Sequence, residues 1–280
     1  MHRRLLSARP RALALAGAAV LASSLAAPAA ATLSSGDAVP TFREYEAQTY
    51  VDTDKQYIVN GDEPVADTGR LRQYYDVLTG NDVHGHKTLE EGLVVNTVFG
   101  RDDKWSATQA MNLTYCISDK FGSQKTNVVN AMNAGVALWE QASSKVDYIH
   151  VPAADSNCTT RNNAVLFSVE PTSTTQYIAR AFFPSTSDRG RNILVNAASL
   201  TSSGSWTPGN IMGHELGHTL GFRHEHTRPE SGTCFEDNNW RPLTPYDSAS
   251  IMHYPQCNGT SDDLSMTASD RAGVQALYGA

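Results

Sequence analysis

The stretch His214-Glu215-Leu216-Gly217-His218-Thr219-Leu220-Gly221-Phe222-Arg223-His224 decides how this chain is read. His214 and His218 are four residues apart. At 3.6 residues per turn their imidazoles share one helix face, one turn apart, and converge on a point beside the helix. Glu215 borders the same point. Three residues after His218, Gly221 accepts a left-handed backbone, so the helix can stop abruptly and the chain can turn back. His224 then reaches the same point from outside the helix. Three imidazoles leave a fourth position open, as catalytic zinc sites do, whereas closed structural sites take four protein ligands, often Cys. A histidine is more often an ordinary core or surface residue, but three at this spacing with Glu215 are not.

Working upstream, Thr207-Pro208 opens the helix, with Thr as N-cap and Pro at the first helical position. Segments Leu113–Ser118, Val146–Val151, Ala164–Val169, Tyr177–Phe183 and Asn192–Ala197 read as strands. Between about Gln124 and Ser144 the residues Val128, Val129, Met132, Val136 and Trp139 fall at helical spacing. Downstream, an irregular stretch from about Thr227 to Met266 contains Ser250-Ile251-Met252-His253-Tyr254, and a last helix is expected near Ser269–Tyr278. The fold class is α+β.

His214 to His224 resembles the metzincin zinc signature HExxHxxGxxH, and Ser250 to Tyr254 resembles the Met-turn that follows it. Gly221-Phe222-Arg223-His224-Glu225 and Ser250-Ile251-Met252-His253-Tyr254 are similar to the astacin forms Gly-Phe-x-His-Glu and Ser-x-Met-His-Tyr. Gly213-His214-Glu215-Leu216-Gly217-His218 is more similar still to the bacterial dual-action HEIGH metallopeptidases. The resemblance covers roughly residues 104–280. It implies a metzincin-type zincin: a mixed five-stranded sheet, an active-site helix, a zinc cleft with its Met-turn, and a small C-terminal subdomain ending in a helix.

The resemblance also implies roles. His214, His218 and His224 are the expected Zn2+ ligands. Glu215 is the expected general base, activating a zinc-bound water to hydrolyse peptide bonds of proteins. Met252 is expected beneath the ligands, and Tyr254 is expected to stabilise the oxyanion. Tyr177-Ile178-Ala179-Arg180-Ala181-Phe182-Phe183-Pro184 resembles the edge strand that holds an extended substrate, its small–large alternation suiting one buried and one open face. The specificity pocket is expected near Pro255-Gln256. Glu225 resembles the Glu that anchors a buried mature N-terminus, although Pro229-Glu230-Ser231 departs from the astacin continuation. His226 is expected beside the ligands or in solvent, and His253 in packing.

At the other end, Arg3, Arg4, Arg9 and Arg11 precede an Ala/Leu/Val run and then Ala27-Pro28-Ala29-Ala30-Ala31. This is the pattern of a secretory signal peptide over residues 1–31, and it predicts a secreted, extracellular protein. The run is too short and Ala-rich for a membrane span. Arg3-Arg4 leaves both the general and the twin-arginine export routes open. The formal charge is −7 with those four Arg included, so neither nucleic acid nor an anionic membrane is an expected partner. Four cysteines, Cys116, Cys158, Cys234 and Cys257, imply two disulfides in an exported chain. Of three possible pairings we favour Cys116–Cys158 with Cys234–Cys257.

Residues 32–103 are polar, acidic and cysteine-free, and read as a pro-segment before a peptidase domain at 104–280; a small accessory domain or flexible arm is the alternative. Without a cysteine there, latency falls to another ligand. Val59-Asn60-Gly61-Asp62 resembles the astacin Phe-x-Gly-Asp latency motif, with Val for Phe. Asp62 is therefore expected to block the zinc in the precursor, with His84-Gly85-His86 as a rival and a simple turn as the bland alternative. The reading is a secreted zinc-dependent endopeptidase acting on polypeptides. A non-catalytic zinc module on the same fold would be expected to lose Glu215, and this chain keeps it.

Overall fold

The computed structural model describes residues 39–79 and 93–280. The expected signal peptide and His84-Gly85-His86 lie outside the described residues. Two units follow from the chain. In the first, Thr41 and Glu44 form a reciprocal capping box that starts helix α1 (Phe42–Gln48). Strands β1 (Tyr50–Val51), β2 (Tyr57–Val59) and β3 (Glu63–Val65) pair antiparallel in that order, and Asp67 caps α2 (Thr68–Leu78). Its small core joins Val59, Leu71 and Tyr74 to Phe42, Tyr45 and Tyr57.

The second unit begins with β4 (Val94–Val98), β5 (Arg101–Asp102) and α3 (Ala107–Ala110). It continues through β6 (Leu113–Ile117), α4 (Lys125–Ala142), β7 (Tyr148–His150) and β8 (Phe167–Pro171). Then come β9 (Ala179–Arg180), β10 (Asn192–Val195), α5 (Ala197–Leu200), α6 (Pro208–Thr219), β11 (Trp240–Pro242) and α7 (Ala268–Tyr278). The main sheet has five strands in the order β7-β6-β8-β10-β9. The first four are parallel and β9 runs antiparallel at the edge, so the sheet is mixed, as the metzincin resemblance implies.

Helix α4 presents Val128, Met132, Val136 and Trp139 to the core, the face its periodicity predicts, and packs along α6. Helix α6 is almost wholly buried, so its exit carbonyls need partners. Aromatic donors supply them: Tyr148 Oη to Leu216 O (3.0 Å), Trp105 Nε1 to Thr219 O (2.7 Å) and Tyr278 Oη to Leu220 O (2.7 Å), while Trp139 Nε1 adds a bond to Gly213 O (2.7 Å) in mid-helix. Disulfides join Cys116 to Cys158 and Cys234 to Cys257, the favoured pairing.

Two expectations differ in detail. Only Ala179–Arg180 of the segment 177–183 pairs as a strand. That strand has no open face: Ala179, Ala181 and Phe182 join the main core, and Arg180 is buried against Asp52 and Asp54 of the first unit. Residues 93–103 pack with the large unit. Leu93 and Val95 join the main core, β4 pairs with β5 and β11, and the Arg223 N–H donates to Val94 O at 3.0 Å.

Candidate metal centre

The helix stop is a complete Schellman turn. Thr207 caps the start of α6 through its side chain, which accepts from Asn210 N–H. At the other end Gly221 N–H donates to His218 O (2.8 Å) and Phe222 N–H donates to Gly217 O (3.0 Å), with Gly221 at φ +97°. A Cβ on Gly221 would stand 2.0 Å from Asp103 O, so the turn needs glycine for its backbone and for space. Phe222 then stacks on Trp139 (5.2 Å between centroids), and His224 comes back over the helix face.

His214, His218 and His224 meet in one buried cluster. Each Nδ1 has an acceptor that can only accept: Ile251 O for His214 (2.7 Å), Phe222 O for His218 (2.9 Å) and a Glu236 carboxylate oxygen for His224 (2.6 Å). Each Nδ1 therefore carries the proton, and in the neutral ring Nε2 keeps its lone pair. The three Nε2 atoms converge, those of His214 and His224 standing 3.3 Å apart.

A fourth donor joins them from the first unit. The β2–β3 turn, with Asn60 and Gly61 both at positive φ, carries Asp62 into the cluster. Its oxygens lie 3.2 Å from His214 Nε2, 3.2 Å from His224 Nε2 and 3.6 Å from His218 Nε2, and it accepts a hydrogen bond from Tyr254 Oη. Burial alone would raise the Asp62 pKa, but the His224 and His218 imidazoles outweigh it and hold it well below its ordinary value.

These residues fit a metal ion. Four donors in a tetrahedron around zinc at about 2.0–2.1 Å stand about 3.3–3.4 Å apart, close to the separations here. His218 Nε2 and one Asp62 oxygen are buried without a hydrogen-bond partner, an arrangement a cation would satisfy. Burial works against a charged His224, yet Asp62 and Glu236 outweigh it and hold its pKa well above the ordinary value. The pocket thus calls for positive charge at this point.

Glu215 is buried beside the cluster with one oxygen unpaired, and burial first, then the charge of Asp62, drives its pKa well above the ordinary value. Tyr254 stacks on His214 (5.3 Å) and burial lifts its phenol pKa well above ordinary. Met252 lies beneath α6: a Cβ on Gly217 would meet its sulfur at 2.4 Å, so glycine there is a packing requirement. The Met-turn is held from behind by Asp270, which accepts from Ser250 Oγ (2.5 Å) and Ile251 N–H (3.0 Å). A pocket beside the centre is lined by Tyr177, Ala179, Trp206, Glu215, Tyr254 and Gln256, which includes the segment expected to shape specificity.

The remaining sequence candidates also find places. His226 is buried, stacks on His224 (4.6 Å) and accepts from Tyr254 N–H; burial lowers its pKa to about 4. His253 is buried and bonds to Tyr246 Oη at 2.8 Å. Glu225 is buried with one oxygen accepting from Asp247 N–H (3.0 Å) and the other unpaired.

Sequence reading missed Glu236 and the buried cation next to it. Arg223 pairs with Glu236 (3.0 Å), Glu63 (3.2 Å) and Asp237. Burial, with the charges of Glu236 and Asp62, raises the Glu63 pKa to about 7 against the pull of Arg223. An acidic pair twelve residues past the third histidine has no local signature that would expose it.

None of the curated proteins compared with the chain matches it. The family model of the dual-action HEIGH metallo-peptidases matches residues 80–278, from ahead of β4 to the end of α7. The pentapeptide reads His-Glu-Leu-Gly-His here, with Leu216 fully buried in the core where the family's name has Ile. With the motif, the mixed sheet and the convergent imidazoles all inside the matched span, this chain belongs to the dual-action HEIGH metallo-peptidase family.

Proposed function

We propose that the protein is a secreted zinc endopeptidase, made as a precursor in which residues 39–79 cover its own catalytic centre. The observation that carries this is the set of three Nδ1 hydrogen bonds, which aims three Nε2 lone pairs at one point beside a buried, unpaired carboxylate. His214, His218 and His224 would hold the zinc, which when bound supplies Lewis acidity to the scissile carbonyl and the attacking water. Glu215 takes the proton from that water and passes it to the leaving amine, a role its buried, unpaired oxygen beside the three imidazoles supports. The Tyr254 hydroxyl, now directed at Asp62, donates to the oxyanion once Asp62 has left. The free edge of β9 offers main-chain groups to an extended polypeptide.

Residues 1–31 would direct export and be removed. Asp62 sits where a ligand other than histidine belongs, and the acceptor it offers the Tyr254 hydroxyl supports its role as the block in the precursor. Because β4 shares the peptidase core, the functional boundary would fall between Thr79 and Leu93. The test is casein cleavage by the processed protein with and without a zinc chelator, beside Glu215→Gln. Cleavage should vanish with chelator, return with zinc, and fall at least about a hundredfold in Glu215→Gln while zinc is retained. Chelator-resistant cleavage, or a fully active Glu215→Gln, would overturn the reading.

A further inference from the structure

Arg180 sits on β9, the edge strand, where a long cation should reach water, yet its side chain is 0% exposed. Its cover comes from the first unit. Arg180 Nε donates to Asp52 at 2.8 Å, and Nη2 pairs with Asp54. Asp52 is itself buried and also accepts from Tyr177 Oη at 2.5 Å, while Asp54 is steadied by Gln56 Nε2 at 3.0 Å. The peptidase unit contributes only neutral partners, the Asn192 side-chain oxygen at 2.9 Å and its carbonyl at 3.4 Å. Among the described residues, every carboxylate on this guanidinium belongs to residues 39–79.

The placement of those carboxylates is informative. Asp52 and Asp54 lie in the turn at one end of β2, and Asp62 lies in the turn at the other end. Strand β2 spans three residues, about 10 Å at 3.3 Å per residue. Ile58, in its middle, packs on Tyr177 and Leu194. One short extended segment therefore crosses the cleft with an acid at the histidine cluster and acids at Arg180. Ala179, the residue before Arg180, lines the pocket that also contains His214 and Glu215.

We propose that in the processed enzyme Arg180 selects substrates, binding an Asp or Glu side chain two to four residues from the scissile bond where Asp52 and Asp54 bind in the precursor. This rests on the reading that residues 39–79 leave the active enzyme. Their departure removes both carboxylates and opens the guanidinium to the cleft. Arg holds its charge at any working pH, and its planar donor fork matches a carboxylate. A substrate acid restores the charge-assisted bonds, while a neutral isostere leaves Arg180 hydrogen-bonded only to the uncharged Asn192.

The experiment uses the processed full-chain protein, its intact mass, and paired fluorogenic peptides that differ only by Asp against Asn at one position. Moving the pair through positions on both sides of the scissile bond should reveal one where Asp raises kcat/KM by about ten- to a hundredfold. Arg180→Gln should bring that ratio close to one. Arg180→Glu should reverse it, favouring a Lys peptide over its Asn partner. The wild-type ratio needs no variant to fold, so it decides by itself: no acidic preference at any position overturns the proposal. So does a preference kept in Arg180→Gln, which would make Arg180 only an anchor for the first unit. If the active species still carries residues 39–79 by mass, the processing reading falls and takes this inference with it.

Discussion

Replacing Gly221 by Ala tests whether the helix stop delivers the third histidine. Two costs add. At φ +97° an L side chain is strained by about 1–3 kcal/mol. The new Cβ would also stand 2.0 Å from Asp103 O. That oxygen cannot simply retreat. Asp103 N–H is bound to Asn96 O (2.8 Å), Asn96 N–H to Gly221 O (2.7 Å), and the Asp103 carboxylate holds Asn96 Nδ2 and Ser185 Oγ. Overpacking of this kind adds about 1–3 kcal/mol. A total near 4 kcal/mol should lower Tm by about 8–16 °C for a domain of this size. Gly204→Ala is the matched control, since Gly204 has φ +69° and no atom within 4 Å of its would-be Cβ. Thermal unfolding of the metal-free proteins, followed by zinc competition titration, separates the two costs. The control should lose only the backbone term and keep its zinc affinity, whereas Gly221→Ala should lose both stability and zinc. A Gly221→Ala protein no less stable than the control, with unchanged zinc affinity, would refute the reasoning.

Three further outcomes are expected. Glu236→Gln keeps an acceptor for His224 Nδ1 but removes the charge facing Arg223, and zinc affinity should drop about 10–100-fold in competition titrations; an unchanged affinity would make Glu236 a bystander. The Asp62→Ala precursor should cleave casein without processing, and one as silent as the unmodified precursor would remove Asp62 as the block. Replacing Cys234 and Cys257 together by Ser opens a 23-residue loop that carries Glu236, and should cost about 2–4 kcal/mol in denaturant unfolding while loosening zinc; equal stability would show that the loop is held without its disulfide.

Much of the site was legible because its signals are local. The 214/218 spacing needs only the helix period, the Thr207 cap needs three residues, and the glycine stop needs the next turn. The edge position of β9 also agreed with expectation, but its open face did not. Alternation along a strand reports which side chains avoid water, and a covering turn 128 residues earlier is invisible to it. The packing of Leu93 and Val95 was hidden for the same reason: a short apolar strand reads alike in either unit, and only its partners β5 and β11 place it.

By itself, then, the sequence determined the donor types, their helical spacing, the turn that returns His224 and the presence of a Met-turn, because each depends on dihedral preferences within one or two turns of chain. Tertiary structure alone decided which nitrogen of His214 and of His224 carries the proton, since Ile251 O and Glu236 arrive from other segments. It decided that Asp62 lies 3.2 Å from His214 Nε2 across a separation of 152 residues. It also decided that Arg180 is buried under two carboxylates, because charge pairing depends on distance in space and leaves no periodic trace along the chain.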